Sequence, residues 1–163
     1  AIFLSDRIAV LNNHKFEQIG SPKDLYYSPK TTYMAKFFGE CNLISCKVVD
    51  KKADSIVVES EFGQLLINQS IDKSIGDSLT FGIRPEEIKI LDQSNSNSIE
   101  VIVKDVEFRG STSNLNVKSR HSEKYLKIQN ISSNISQSFQ QGDVINVELN
   151  TGVGTIFKDE TSS

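Results

Sequence analysis

Ile75-Gly76-Asp77-Ser78-Leu79-Thr80-Phe81 and Gln141-Gly142-Asp143-Val144-Ile145-Asn146-Val147 are two versions of one phrase. In each, a Gly-Asp pair leads straight into a run that alternates apolar and polar residues. Glycine supplies the backbone angle that a tight strand entry needs, and aspartate bonds its own turn. One such pair would mean little. Two of them, in matching places within similar strand orders, predict an internal repeat.

Outward from these phrases the text keeps a period of two. Cys46 to Asp50, Ser55 to Glu59, with its β-branched Ile56-Val57-Val58, and Gln64 to Ile67 read as strands before the first phrase. Ser78 to Ile83 and Ile88 to Leu91 follow, separated by Arg84-Pro85-Glu86-Glu87. The polar stretch Asp92 to Ser98 closes the first pass. Ile99 to Phe108 opens the second, with a hairpin of Asn114 to Lys118 and Lys124 to Ile128 around a polar turn. Asn130 to Gln141, rich in Ser and amides, reads as a connection, and Val144 to Leu149 and Gly154 to Phe157 end the series. Short strands at this spacing with glycine at the turns predict a mainly β fold built as a small barrel from two repeats.

Before Asn42 the pattern differs. Arg7 to Leu11 and Lys15 to Ile19 read as a hairpin turned by Asn12-Asn13-His14. Ser21-Pro22-Lys23-Asp24 starts a helix with Ser as cap, Pro at the first position and an acid in the first turn. That helix stops before Pro29. A second, from Thr32 to Phe38, ends at Gly39. The opening reads as the end of something longer, so the apolar Ile8, Val10, Phe16 and Ile19 are expected to need cover from residues 25 to 38 or from another copy.

This order of words resembles the C-terminal edge of the nucleotide-binding domain in ABC import ATPases that carry an added regulatory domain. Leu4-Ser5-Asp6-Arg7-Ile8-Ala9-Val10, Glu17-Gln18-Ile19-Gly20-Ser21-Pro22 and Phe37-Phe38-Gly39-Glu40-Cys41-Asn42 carry the likeness. The words Phe81 to Leu91, FGIRPEEIKIL, and Phe108-Arg109-Gly110-Ser111 resemble the TOBE-type regulatory domain, an OB-like barrel. The resemblance implies a remnant of the nucleotide-binding domain over 1–41, with Ala1 to Ser5 a helix, and a TOBE-type domain over 42–160. Its implied role is regulation and dimerisation of an importer's ATP-binding subunit, held by permease subunits at the cytoplasmic face of the membrane. Gly39-Glu40-Cys41-Asn42-Leu43 leans toward the polyamine group.

ATP and magnesium would serve the parent subunit and not this segment. A phosphate-cradling G-x-x-x-x-G-K-[ST], an LSGGQ-like signature and an acid-tipped apolar strand are missing from it. The adjacent Glu86 and Glu87 do not converge as acid–base carboxylates must. No catalytic, cofactor or metal residue is therefore expected.

Two places remain as candidate sites. Arg84, fixed in direction by Pro85 and followed by Glu86, is a candidate regulatory or dimer contact, since its planar fork suits carboxylates and carbonyls. The plainer alternative is a salt bridge or carbonyl cap that closes the barrel. Arg109, Gly110, Ser111 and Thr112 combine a cation, a glycine and hydroxyls as a candidate oxyanion site; the plainer alternative is a polar turn.

Composition bounds the rest. Residues are 37% apolar and 24% charged, as in globular domains, and the net charge of −3 has no basic stripe to suit nucleic acid. An OB-type nucleic-acid binder and an oxyanion store are the alternatives carried forward. No apolar run is long enough to span a bilayer. Cys41 and Cys46 have neither zinc spacing nor a disulfide framework and read as free thiols; His14 and His121 read as surface residues.

Overall fold

The structure is a computed structural model, and residues 6–158 are described. The expected helix at Ala1 to Ser5 and the end of the second region at 160 lie outside them.

Strands β1 (Ile8–Asn12) and β2 (Lys15–Gly20) form the hairpin. Its turn residues Asn13 and His14 both take positive φ, 48° and 62°, the pair of angles that lets a two-residue turn follow strand twist. Helix α1 (Pro22–Tyr27) opens with a capping box: the Asp24 amide donates to Ser21 Oγ at 3.2 Å, and the Ser21 amide to Asp24 Oδ2 at 3.1 Å. The Ser21 hydroxyl, donating to Asp24 Oδ2 at 2.7 Å, and then the Ser21 amide hold the Asp24 carboxyl below its usual range. Helix α2 (Thr32–Phe37) is capped by Thr31, whose Oγ1 accepts from the Met34 amide.

Val10, Leu25 and Met34 make a small core between hairpin and helices, with Ile8 and Phe38 packed on it. Half of the expected cover is therefore found. Phe16 and Ile19 instead stay 65% and 48% exposed. Alternation turns Ile19 away beside the buried Gln18, and the register shift between Val10 and Leu11 puts Phe16, opposite exposed Leu11, on the outer face too.

Beyond this unit the chain is all but continuous β. The first pass gives β3 (Asn42–Lys51), β4 (Ile56–Ser60), β5 (Gly63–Ile67) and β6 (Ser78–Ile83). A single 3-10 turn, Pro85–Glu87, leads to β7 (Ile88–Leu91). The second pass gives β8 (Ser98–Phe108), β9 (Thr112–Ser119), β10 (Tyr125–Ser132), a short α3 (Ser133–Ser136), β11 (Val144–Leu149) and β12 (Thr155–Lys158).

The expected single barrel resolves into two five-stranded sheets, ordered β12-β6-β3-β4-β5 and β10-β9-β8-β11-β7. Each pass supplies four strands to its own sheet and lends the fifth to the other. β7 pairs antiparallel with β11, Leu91 opposite Asn146, and β12 with β6, Thr155 opposite Gly82. One continuous core, from Ile44 and Val48 to Val103, Leu115 and Val147, spans both sheets.

The Gly-Asp phrases do the same work twice. The Gly76 amide donates to Val48 O at 2.8 Å, and the Val48 amide to Asp77 O at 2.9 Å. In the second pass the Gly142 amide donates to Val103 O, and the Val103 amide to Asp143 O, both at 2.8 Å. The glycines take φ of 96° and 97°. Each aspartate accepts from a backbone amide three residues earlier, Ser74 at 2.9 Å and Gln140 at 2.8 Å. The long strands β3 and β8 even break register at matching places, between Val48 and Asp50 and between Val103 and Asp105.

Asn130 to Gln141 is not the plain connection expected. β10 runs on to Ser132 past an irregularity at which Asn130 takes φ of 61°, and α3 follows. Buried Ile131 pairs with Ser113 across the strands, so one apolar residue pulls a polar segment into the sheet.

Candidate functional site around Arg84

Arg84 leaves β6 in an extended conformation, φ −70° and ψ 144°, and Pro85 then starts the 3-10 turn. A rigid exit of this kind aims the guanidinium in one direction. That direction is toward the helices of residues 22–38. Nη1 donates to the carbonyls of Ala35 at 2.7 Å, Glu40 at 3.0 Å and Gly39 at 3.2 Å, and Nη2 to the carbonyl of Tyr26 at 3.0 Å. Tyr26 and Ala35 lie in the last turns of α1 and α2, where carbonyls have no partner within the helix. A guanidinium suits such helix ends by hydrogen bonding and by charge.

The guanidinium carbon also lies 4.1 Å from the centroid of the Tyr26 ring, a cation–π stack. The Tyr26 hydroxyl donates a short hydrogen bond to Glu86 Oε1. Burial first, then that bond and the nearby carboxylate, pushes the Tyr26 phenol up to about 12. Glu86, Tyr26 and Arg84 thus form one stack, with Arg84 only 8% exposed.

Glu87 faces elsewhere and accepts from Asn150 Nδ2 at 3.0 Å. The carbonyl-capping role weighed for Arg84 is therefore played on the helices rather than at a seam of the barrel, and among the described residues no carboxylate pairs with it. Pro85 is buried.

Residues 40–42 carry further ties. Asn42 mimics a strand: its Nδ2 donates to Lys127 O at 2.9 Å, and its Oδ1 accepts from the Lys127 amide at 2.8 Å. Glu40 accepts from Lys127 Nζ at 2.8 Å and Gln129 Nε2 at 2.5 Å. A small crevice opens beside Arg84, lined by Tyr26, Tyr27, Cys41, Glu87 and Phe157 among others. Burial raises the Cys41 thiol above its usual range. Sequence reasoning missed Tyr26 and Asn42. Asn42 stood at the end of the words that carry the family likeness, but neither residue shows in the sequence which partner it meets.

The second candidate lies apart from the first. Arg109 Nη2 is paired with Glu107 Oε2 at 3.1 Å, which lowers the Glu107 carboxyl. The Arg109 amide donates to Thr112 O at 2.9 Å, and Gly110 takes φ of 87°. Gly110 O accepts from Ser133 Oγ at 2.5 Å, and Ser111 O from the Ser133 amide at 3.2 Å. The turn is thus braced by α3, with its cation turned onto a carboxylate. Among the described residues, no three His, Cys, Asp or Glu side chains are grouped as a metal would need, and no helix is long and apolar enough to cross a membrane.

Comparison with known proteins places this geometry in a family context. The TOBE domain model matches residues 81–157, the stretch from the strand before Arg84 to the end of β12. The chain resembles the TOBE-bearing, C-terminal part of an ABC importer ATP-binding subunit. Among its relatives is the spermidine/putrescine import ATP-binding protein PotA of Fusobacterium nucleatum, 34% identical over 133 residues, which are 76% of this chain and 35% of that protein. The PotA of Legionella pneumophila is 33% identical over 122 residues, 72% of this chain and 34% of its own length. That of Trichormus variabilis is 37% identical over 93 residues, 55% of this chain and 24% of its own length. The chain therefore spans about a third or less of these curated relatives. In fold it is similar to the crystal structure of the cytoplasmic molybdate-binding protein ModG with molybdate bound, at a TM-score of 0.61 and 10% identity, covering 72% of this chain and 95% of that one.

Proposed function

We propose that this chain is the regulatory segment of the ATP-binding subunit of a polyamine-type ABC importer. Residues 1–41 are the edge of its nucleotide-binding domain and residues 42–160 its TOBE-type domain. The observation that carries the reading is the length of the likeness. It runs over 133 residues of the Fusobacterium relative, well beyond the 81–157 stretch of the TOBE model. Arg84 supports it, because it ties the TOBE-type sheets to the hairpin and helices. In this reading the segment performs no ATP chemistry, needs no cofactor of its own, pairs with a second copy through its β sheets, and sits at the cytoplasmic face of the membrane through permease subunits.

Grafting this chain onto the nucleotide-binding part of the Fusobacterium protein, in place of the matching residues, tests the proposal. The chimera is expected to restore spermidine uptake in a strain lacking its own importer. A chimera that is made, folded and joined to the permease yet gives no uptake would refute it. Light scattering on the chain alone tests the pairing, where a strictly monomeric species at high concentration removes that part.

The fold it shares with a molybdate-binding protein favours a second reading, oxyanion binding at Arg109 to Thr112. The pairing of Arg109 with Glu107 weighs against it, because an anion would have to displace a carboxylate. Calorimetry with molybdate, sulfate and phosphate decides between them.

A further inference from the structure

The small unit of residues 8–38 and the two sheets hold separate cores. Val10, Leu25 and Met34 belong to one cluster, and every buried apolar residue of the other cluster lies between Ile44 and Leu149. Val10, Leu25, Pro29, Met34 and Ala35 are the buried apolar residues of this unit, few to hold a hairpin and two six-residue helices in place unaided. Something else must fix this unit against the sheets.

Among the described residues, the hydrogen bonds that join residues 8–38 to residues 42–158 all involve Arg84 or Tyr26. Arg84 reaches Ala35 at the end of α2 and Tyr26 at the end of α1, and also Gly39 and Glu40 of the connector. Among the described residues, the charge of this buried cation is met by carbonyl dipoles and an aromatic face rather than by a carboxylate. Withdrawing it would leave several carbonyls without a donor and the Tyr26 ring without its charge.

We propose that Arg84 is a latch. It holds the ends of α1 and α2 against the sheets, so that residues 8–38 and the β region behave as one rigid body only while it is engaged. The Tyr26–Glu86 bond is the second part of the device, since it keeps the ring flat beneath the guanidinium. When the latch is released, residues 22–38 open as a separate cooperative unit while both sheets stay folded, as local unfolding of a weakly cored segment allows. A force or ligand acting on either side of the joint is then passed across it with little loss, or not at all. The latch is a property of this chain's own contacts and stands whether or not the importer reading holds.

Native-state amide hydrogen exchange on the whole chain tests it, with Arg84→Met, Arg84→Lys and Tyr26→Phe beside the unaltered protein. In Arg84→Met, amides of α1 and α2 are expected to exchange about 10- to 100-fold faster, the loss of a charged hydrogen-bonding group. Amides of β3, β8 and β9 should stay within about twofold, as a purely local opening requires. Arg84→Lys keeps the charge without the planar fork and should recover only part of the protection. Tyr26→Phe removes the Glu86 bond and should act on the same amides by a smaller factor.

Equal acceleration in both regions would mean ordinary destabilisation and would overturn the latch, as would unchanged exchange in residues 22–38. Should Arg84→Met not fold, the other two variants carry the same test. Full protection in both would then refute the proposal.

Discussion

The two sheets are copies in design but not in finish. Both are entered by the same Gly-Asp turn, and both are completed by a borrowed strand. Their interiors differ. At the fourth residue after the aspartate the first pass has Phe81 and the second has Val147, both buried. The larger ring imposes glycine around it: a Cβ on Gly154 would stand 2.1 Å from Phe81 Cζ and 2.9 Å from Gly82 O.

The seams differ too. In the first sheet Gln69 Nε2 donates to Thr151 O at 2.8 Å and Gly154 O at 2.6 Å, and Thr151 Oγ1 donates to Leu66 O at 2.8 Å. In the second, Asn42 pins β10 at one end. A broad cleft remains between β7, β10 and α3, edged by Asn146, whose buried Oδ1 has no partner among the described residues. A repeat can thus conserve its hinges and backbone bonds while its filling drifts, because turn geometry tolerates few residues and a core tolerates many combinations.

The largest way to break this comparison is to empty the filling. Phe81→Ala should cost about 3–5 kcal/mol, the usual range for a buried Phe, whereas Val147→Ala should cost about 2 kcal/mol. Urea unfolding of both variants checks this, and equal losses would show that the cores are interchangeable after all.

The next lies in alkaline solution. Cys46 of the first pass occupies the place of Val101 in the second, and burial pushes its thiol up from 9.0 to about 12. A raised value means that the folded state favours the protonated thiol. Its contribution is whole below pH 9.0 and lost as pH climbs toward 12. Cys46→Val should flatten the fall in stability over that window without adding any below it. An unchanged slope of stability against pH would remove the thiol from the account.

The smallest effect sharpens the likeness instead. Asp77→Ala and Asp143→Ala should each cost on the order of 1 kcal/mol, by equal amounts, since each loses one bond to a backbone amide. The pair should add, because the sites share no partner. A double mutant far from the sum would show the two turns to be coupled.

Much of this was legible in the residues. Ser78–Ile83, Ile88–Leu91 and Val144–Leu149 form strands over the spans their alternation predicted, and the Gly-Asp phrases mark true equivalents. Strand exchange was not legible. A run such as Ile88-Lys89-Ile90-Leu91 says which face is buried but nothing about which neighbour it will meet. Arg84 was singled out by its proline, yet its partners are main-chain carbonyls, which carry no letter in the sequence. Outward-facing Phe16 and Ile19 looked like core residues because apolar character alone does not give direction.

The loan of β12 also sets an order of events during synthesis. The first sheet is written early, from Asn42 to Ile83, yet its last strand, Thr155–Lys158, follows the whole of the second pass out of the ribosome. Until then β6 offers an open edge, and the first sheet must wait, four strands strong and one short, for a strand made after the entire second pass.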